Sequence, residues 1–272
     1  MKNTMKNILS VLLVVVFCIS TGLLVRQKLH ERQAANTYER AAALAASGSQ
    51  KVSTELVIME TEEPGEVVWV PETVTDEFVI ALQQINLSAL REENPDVVGW
   101  VYIPDTKINY PVMQGEDNDY YLNHAWDGKK NASGSIFMET NNDPNATEFN
   151  TIIYGHKMNS GAMFAALHKF EKKEFWEEHP YVYLVTDGGV FRYEIFSTYN
   201  ADVDSSTYGL SFRQNQTRIN FLIEAKNNSL IDTGIEPEPT DRILTLSTCT
   251  GRGYSARRVV HARLKMVQYT KK

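Results

Sequence analysis

Apolar residues run without a charge from Ile8 to Val25 (ILSVLLVVVFCISTGLLV). At ~1.5 Å per residue such a stretch makes a helix of ~27 Å, close to the thickness of a bilayer core. Lys2 and Lys6 precede it, which predicts a cytoplasmic N-terminus; Arg26, Lys28 and Arg32 follow it, so the charge asymmetry is shallow. A cleaved signal peptide is the competing reading. The run is long for a signal h-region, and no A-x-A site closes it. Residues 1–29 are therefore expected to form an uncleaved single-pass anchor, with the rest of the chain outside the cell.

The pattern then changes. Residues 26–46 (RQKLHERQAANTYERAAALAA) carry good helix formers with polar positions throughout, which predicts a solvated helix continuing from the membrane. Ser47 to Val74 is polar and acidic, with Pro64, Gly65 and Pro71, and reads as a spacer. Residues 30–74 are thus a helical stalk and polar spacer, and 75–272 a single folded domain. That domain opens on a helix starting at Thr75–Phe78, with Phe78, Ala81, Leu82, Ile85 and Leu90 along one stripe and an end near Asn94-Pro95.

Beyond Pro95, short β-branched and aromatic segments dominate. They are Val97–Ile103, Ile108–Met113, Gly134–Met138, Thr151–Tyr154, Tyr181–Thr186, Val190–Thr198, Arg242–Cys249 and Arg257–Val267. Helical patches interrupt them at Ala162–Phe170 and Arg218–Asn227. About eight strands with inserted helices predict one mainly β, barrel-like domain.

Composition narrows the function. With 43% hydrophobic and 22% charged residues, the chain is neither disordered nor collagen-like. A net charge of -7 argues against nucleic acid as a partner. There are 2 cysteines, and Cys18 lies inside the apolar run. Cys249 is left without an intrachain partner, so there is no disulfide framework, and a cysteine-cluster metal site is excluded by count. No cofactor enters the reading.

Period-2 alternation places Leu244, Leu246 and Thr248 on one face of the Cys249 strand, and Ile243, Thr245, Ser247 and Cys249 on the other. The apolar first face is expected to point into the barrel. The thiol then faces outward at a strand end, where a structural cysteine has no reason to be. A thiol nucleophile needs a basic or cationic neighbour. His156, just past the apolar run Thr151–Tyr154 and Gly155, is well placed to be one. His261 lies four residues beyond Arg257 on its strand, ~13 Å away, too far if Arg257 is beside the thiol. On that last strand Val260, Ala262, Leu264 and Met266 share an apolar parity that Arg258 continues, whereas Arg257 shares the outward parity. Arg257 is therefore expected to meet Cys249, and Arg258 to point inward.

Several of these segments together resemble the sortase family. Thr245-Leu-Ser-Thr-Cys249 is similar to the family's T-L-x-T-C motif, Arg257 to Val260 to its Arg-x-Val-Val strand, and Tyr154-Gly-His156 to its histidine motif. Gly99-Trp-Val-Tyr-Ile-Pro104 and Ile108-Asn-Tyr-Pro-Val112 resemble the opening of its catalytic domain. Asn118-Asp-Tyr-Tyr-Leu122, Ser160-Gly-Ala-Met-Phe164 and the helix-containing insert between Thr198 and Arg242 resemble class B members. The resemblance implies a closed eight-stranded β-barrel with an N-terminal and an inserted helix. It implies a cysteine transpeptidase in which Cys249 attacks a carbonyl of a C-terminal sorting signal on surface proteins. A peptidoglycan-precursor or pilin amine then resolves the thioester. His156 serves as acid and base, and Arg257 holds the oxyanion. Asn118, Leu122, Tyr154, Ser247 and Thr248 are implied substrate contacts. The short Gly-rich link Thr250–Tyr254 departs from the family pattern. Two alternatives stay open: a cysteine peptidase that only hydrolyses, and a non-catalytic membrane-tethered adhesion domain.

Overall fold

In the computed structural model one helix, α1 (Lys2–Ala45), carries the apolar run and continues through the Ala-rich segment after it. The structure describes residues 2–47, 58–60, 68–70, 76–249 and 255–269. From Leu13 to Val25 the α1 side chains are exposed, and by length and apolarity the helix is able to cross a membrane. Its second half is not the solvated stalk read from composition. Ala34, Tyr38, Ala41 and Ala45, spaced four, three and four residues apart, form one buried face. Small side chains let the helix approach the domain closely. Trp126 Nε1 donates to the Thr37 carbonyl at 2.8 Å, and the Asn86 amide donates to the Ala45 carbonyl at 2.8 Å. Alanine serves equally as a helix former and as a contact residue, so composition alone did not distinguish the two.

The spacer expected before residue 75 lies largely outside the described residues. Within it, strands β1 (Ile58–Glu60) and β2 (Val68–Val70) pair antiparallel. The single helix expected from Thr75 is two short ones, α2 (Glu77–Leu82) and α3 (Leu87–Arg91). Asp76 caps the first, accepting from the amides of Phe78 and Val79. Asn86 caps the second through Ala89 N, and this new start is what breaks the stripe.

Eight strands follow, in the places the apolar pattern predicts: β3 (Val97–Tyr102), β4 (Asn109–Met113), β5 (Ile136–Met138), β6 (Asn150–Tyr154), β7 (Tyr181–Thr186), β8 (Gly189–Asp202), β9 (Ile243–Cys249) and β10 (Ala256–Tyr269). They close into a barrel in the order β10-β8-β7-β3-β4-β5-β6-β9. Closure removes free sheet edges. Two neighbouring pairs are parallel, β4 with β5 and β6 with β9; the others are antiparallel. The barrel interior is one apolar core that includes Val101, Val112, Leu244, Leu246, Val260 and Ala262.

A second core lies outside the barrel wall. A short helix, α4 (Lys173–Glu178), precedes β7, and the insert between β8 and β9 carries a longer one, α5 (Asn215–Asn227). Phe221, Leu222 and Ala225 of α5 pack on Phe149, Phe196, Tyr199, Ile243 and Val259. The outward face of β9 is thereby buried along most of its length: Thr245 is 0% and Ser247 1% exposed. Period-2 alternation correctly separates the two faces of β9, but it carries no information about an insert folding over the outer one.

Candidate active site

Three strand ends meet at one rim of the barrel. Because β6 and β9 run parallel, their C-terminal ends emerge together, with Tyr154 opposite Ser247. Gly155 N then donates to the Ser247 carbonyl at 3.1 Å, carrying His156 alongside the last residues of β9. A Cβ on Gly155 would lie 2.4 Å from Ile136 Cδ1 and 2.9 Å from the Phe164 ring, so a larger residue here would force those side chains to move. Antiparallel β10 begins at the same rim, with Arg257 paired to Cys249 and Arg258 to Thr248. Partnered Cα atoms of an antiparallel pair lie ~4.5–5.5 Å apart. The backbone of Cys249 is described, its side chain is not, and the Gly-rich link after it lies outside the described residues.

Beside this rim is a cleft of ≈ 260 Å³, lined by Asn118, Leu122, Tyr154, His156, Ser247, Thr248 and Arg257 among others. Every candidate catalytic or substrate-contact residue except Cys249, whose side chain is not described, thus borders one cavity. The two arginines separate by strand parity. Arg257 faces the cleft, while Arg258 is 4% exposed and pairs through Nη2 with Glu171 Oε2 at 3.2 Å.

His156 Nε2 lies 2.7 Å from the Leu122 carbonyl. A carbonyl only accepts, so this hydrogen bond assigns the proton to Nε2 and leaves the lone pair of the neutral ring on Nδ1. Leu122 therefore contributes its main chain as well as its exposed side chain. Asn118 is clamped at both ends: Nδ2 donates to Glu139 Oε2 at 2.7 Å, and Oδ1 accepts from Thr140 N at 3.0 Å. Tyr154 OH donates to the same Glu139 oxygen at 3.1 Å. Burial first, and then the Glu139 carboxylate, push the Tyr154 phenol far above its ordinary value, so it remains a neutral donor.

Ser247 is buried, with its hydroxyl 3.0 Å from Tyr208 OH. Thr248 belongs to the inward parity, and its buried hydroxyl has no hydrogen-bond partner among the described residues. His261 pairs with Thr245, not with Cys249. Its Nδ1 is 2.9 Å from Thr245 Oγ1 and its Nε2 3.1 Å from Tyr199 OH. Complete burial lowers its pKa to about 3, so it is a neutral core residue.

Sequence reasoning missed two contributors. Tyr208, from the insert, forms a wall of the cleft and stacks on Tyr154 with ring centroids 6.3 Å apart. Glu139 lies beneath it, 6% exposed, and ties Asn118 to Tyr154. Its only signal was a carboxylate following the apolar Ile136-Phe-Met138.

A closed eight-stranded barrel, with a cysteine strand, a histidine and an arginine meeting at one rim, has the architecture of cysteine transpeptidases. The sortase domain family matches residues 101–265, and the chain belongs to the sortase family. Its relatives are of class B. Sortase B of Listeria monocytogenes is 38% identical over 175 residues, covering 64% of this chain and 71% of that protein. Sortase B of Staphylococcus aureus is 35% identical over 161 residues, covering 59% and 66%. The crystal structure of sortase B from B. anthracis superposes with a TM-score of 0.68 at 30% identity, covering 88% of this chain and 99% of that one.

Proposed function

We propose that this protein is a membrane-anchored sortase B-type transpeptidase of the cell surface, with Cys249, His156 and Arg257 as its catalytic residues. The Cys249 thiolate adds to a carbonyl carbon in a C-terminal sorting signal. Arg257 hydrogen-bonds the oxyanion with its planar, permanently charged fork. The C–N bond breaks as protonated His156 gives its Nδ1 proton to the departing amine, leaving a thioester on Cys249. An amine on a cell-wall precursor or pilin then attacks the thioester, His156 takes the proton, and the thiolate is released. Asn118, Leu122, Tyr154, Ser247 and Thr248 contact the signal peptide. Residues 8–25 anchor the enzyme, which confines it to the plane in which its substrates are delivered.

One observation carries this reading: the register that sets Arg257 against Cys249 at the rim where His156 emerges. The amine-acceptor half is supported by a solved sortase B, 33% identical, that is complexed with triglycine. The test is to incubate the full-length chain with a fluorogenic sorting-signal peptide, with and without triglycine. Cleavage by the wild type, none by Cys249→Ala, and a new peptide–triglycine product are expected. Cleavage with no triglycine product points to a hydrolase. No cleavage and no labelling of Cys249 by a thiol reagent points to an adhesion domain.

A further inference from the structure

We propose that the membrane-proximal part of α1 is a positioning element of the candidate site, acting through Tyr38. The kinetic consequence rests on the transpeptidase reading above; the structural one does not.

Tyr38 is buried, and its hydroxyl donates to the Gly134 carbonyl at 2.5 Å. Gly134 adopts φ 56°, and its backbone is pressed against the histidine's own support. A Cβ there would lie 2.6 Å from the Tyr121 carbonyl, 2.7 Å from the Leu122 carbonyl and 3.0 Å from His156 Cδ2. That Leu122 carbonyl is the acceptor of His156 Nε2. The surrounding segment is laced to Gly134's neighbours: Ser135 N donates to Tyr121 O, Ser135 Oγ to His124 O, and Asn131 N to Asn123 O, each at 2.8 Å. One hydrogen bond thus ties Tyr38 to a glycine that leaves no room for a side chain between it and the imidazole with its Leu122 acceptor.

A second route reaches the same residue from its other side. The Tyr38 ring meets Tyr110 edge-on at 5.2 Å. Tyr110 OH accepts from Met163 N at 3.1 Å, and the next residue, Phe164, donates its amide to the His156 carbonyl at 2.9 Å. Tyr38 therefore braces both the ring and the main chain of His156. Because α1 is unbroken, Tyr38 lies ~20 Å along the helix from Val25, the last residue of the apolar run. The helix that enters the membrane is the one that fixes the histidine, and loosening its dock on the barrel loosens the site.

Tyr38→Phe in the full-length chain, in detergent micelles with 15N-labelled histidine, tests this. The ring and its contact with Tyr110 remain, and only the hydroxyl is lost. Expected are shifted His156 ring resonances and a kcat for signal-peptide cleavage lowered roughly 3- to 10-fold through misorientation. KM should stay within about twofold, and Tm within a few degrees. Tyr38→Leu, which cuts both routes, should lower kcat further. Unchanged His156 resonances with wild-type kcat in Tyr38→Phe overturn the proposal, as does a fall in Tm alone. If the wild type cleaves no sorting peptide, the function reading fails, and the His156 resonances still decide the role of Tyr38.

Discussion

Adjacent arginines with opposite fates give the sharpest test of the register. Arg257 borders the cleft and pairs with Cys249 across the β9–β10 ladder, whereas Arg258 is turned inward onto Glu171. Losing an oxyanion donor costs ~100- to 1,000-fold, or ~2.7–4 kcal/mol of transition-state stabilisation. Arg257→Ala should therefore lower kcat/KM by at least ~100-fold with Tm nearly unchanged. Arg257→Lys should recover little, since an ammonium cannot reproduce the planar fork. Arg258→Ala perturbs something else. Its side chain is 5% exposed but its Glu171 partner is 51% exposed, so the stranded carboxylate remains hydrated. What is lost is packing and the charge-assisted hydrogen bond to Glu171, ~1–3 kcal/mol of stability. At ~2–4 °C per kcal/mol for a domain of this size, Tm should fall by several degrees. Its kcat/KM at 25 °C should change by under ~10-fold. The assay is steady-state cleavage of a fluorogenic sorting peptide, paired with thermal unfolding of each variant. If Arg258→Ala is the crippled enzyme with wild-type Tm, and Arg257→Ala is near normal, the parity assignment is wrong.

Three further outcomes follow from the site's surroundings. His261, with its pKa lowered to about 3, stays neutral in the fold while the unfolded chain protonates near pH 6.5, so stability is present above pH 6.5 and is lost as pH falls towards 3. His261→Gln removes this slope, and urea unfolding at pH 7 and pH 5 should show the wild-type advantage shrinking by about 2 kcal/mol; parallel pH dependences would contradict it. Burial raises the Glu139 pKa, but hydrogen bonds from Asn118, Asn141 and Tyr154 more than offset this and hold it below its usual value of 4.5. Its stabilisation is present above that value and lost as pH falls through the lower folded one, so Glu139→Gln should cost ~1–3 kcal/mol at pH 7 and progressively less towards pH 3, with a raised KM. Tyr208→Ala removes a cleft wall and should raise KM several-fold, while Tyr208→Phe, which keeps the ring against Tyr154, should stay within about threefold of wild type in the same peptide assay.

Strand positions were legible because alternating β-branched and aromatic residues, punctuated by Pro, Gly and Asn, leave few other conformations open. That Arg257 rather than Arg258 borders the cleft was legible for the same reason: parity is a property of the strand itself. The helix break at Asn86 was a local signal that the apolar stripe from Phe78 to Leu90 overrode: Asn86, a favoured N-cap type, caps Ala89, and its own amide reaches the Ala45 carbonyl. What the pattern did not carry were contacts made across long sequence gaps. Thr245 reads as an outward polar residue, yet it is buried between Asn150 and His261 once the insert covers it. Tyr208 reaches the cleft, and Glu139 holds the cleft residues Asn118 and Tyr154, from segments whose own sequence gives no reason to look there. The buried face of α1 was written in the sequence as Ala34, Tyr38, Ala41 and Ala45, but a stripe built mostly of alanine does not stand out among good helix formers.

The buried side chains of β10 also explain why the rim cannot easily be assembled wrongly. A one-residue slip of β10 against β9 would turn Arg258 towards the cleft and Arg257 into the barrel. The same slip would move Val260 and Ala262 out of the main core and bring Val259 and His261 into it. Val260 would then land in the second apolar core at little cost, but His261 in the barrel interior would lose Thr245 and Tyr199, at ~1–3 kcal/mol, and burying the second guanidinium without Glu171 costs more. The irregularities of β10, between His261 and Ala262 and between Leu264 and Met266, fall in its pairing with β8. Its pairing with β9 is unbroken from Arg257 to Arg263. Bending is thus taken up on the side away from the cysteine strand. Buried residues that do not line the cleft, His261 among them, thereby select which arginine faces Cys249.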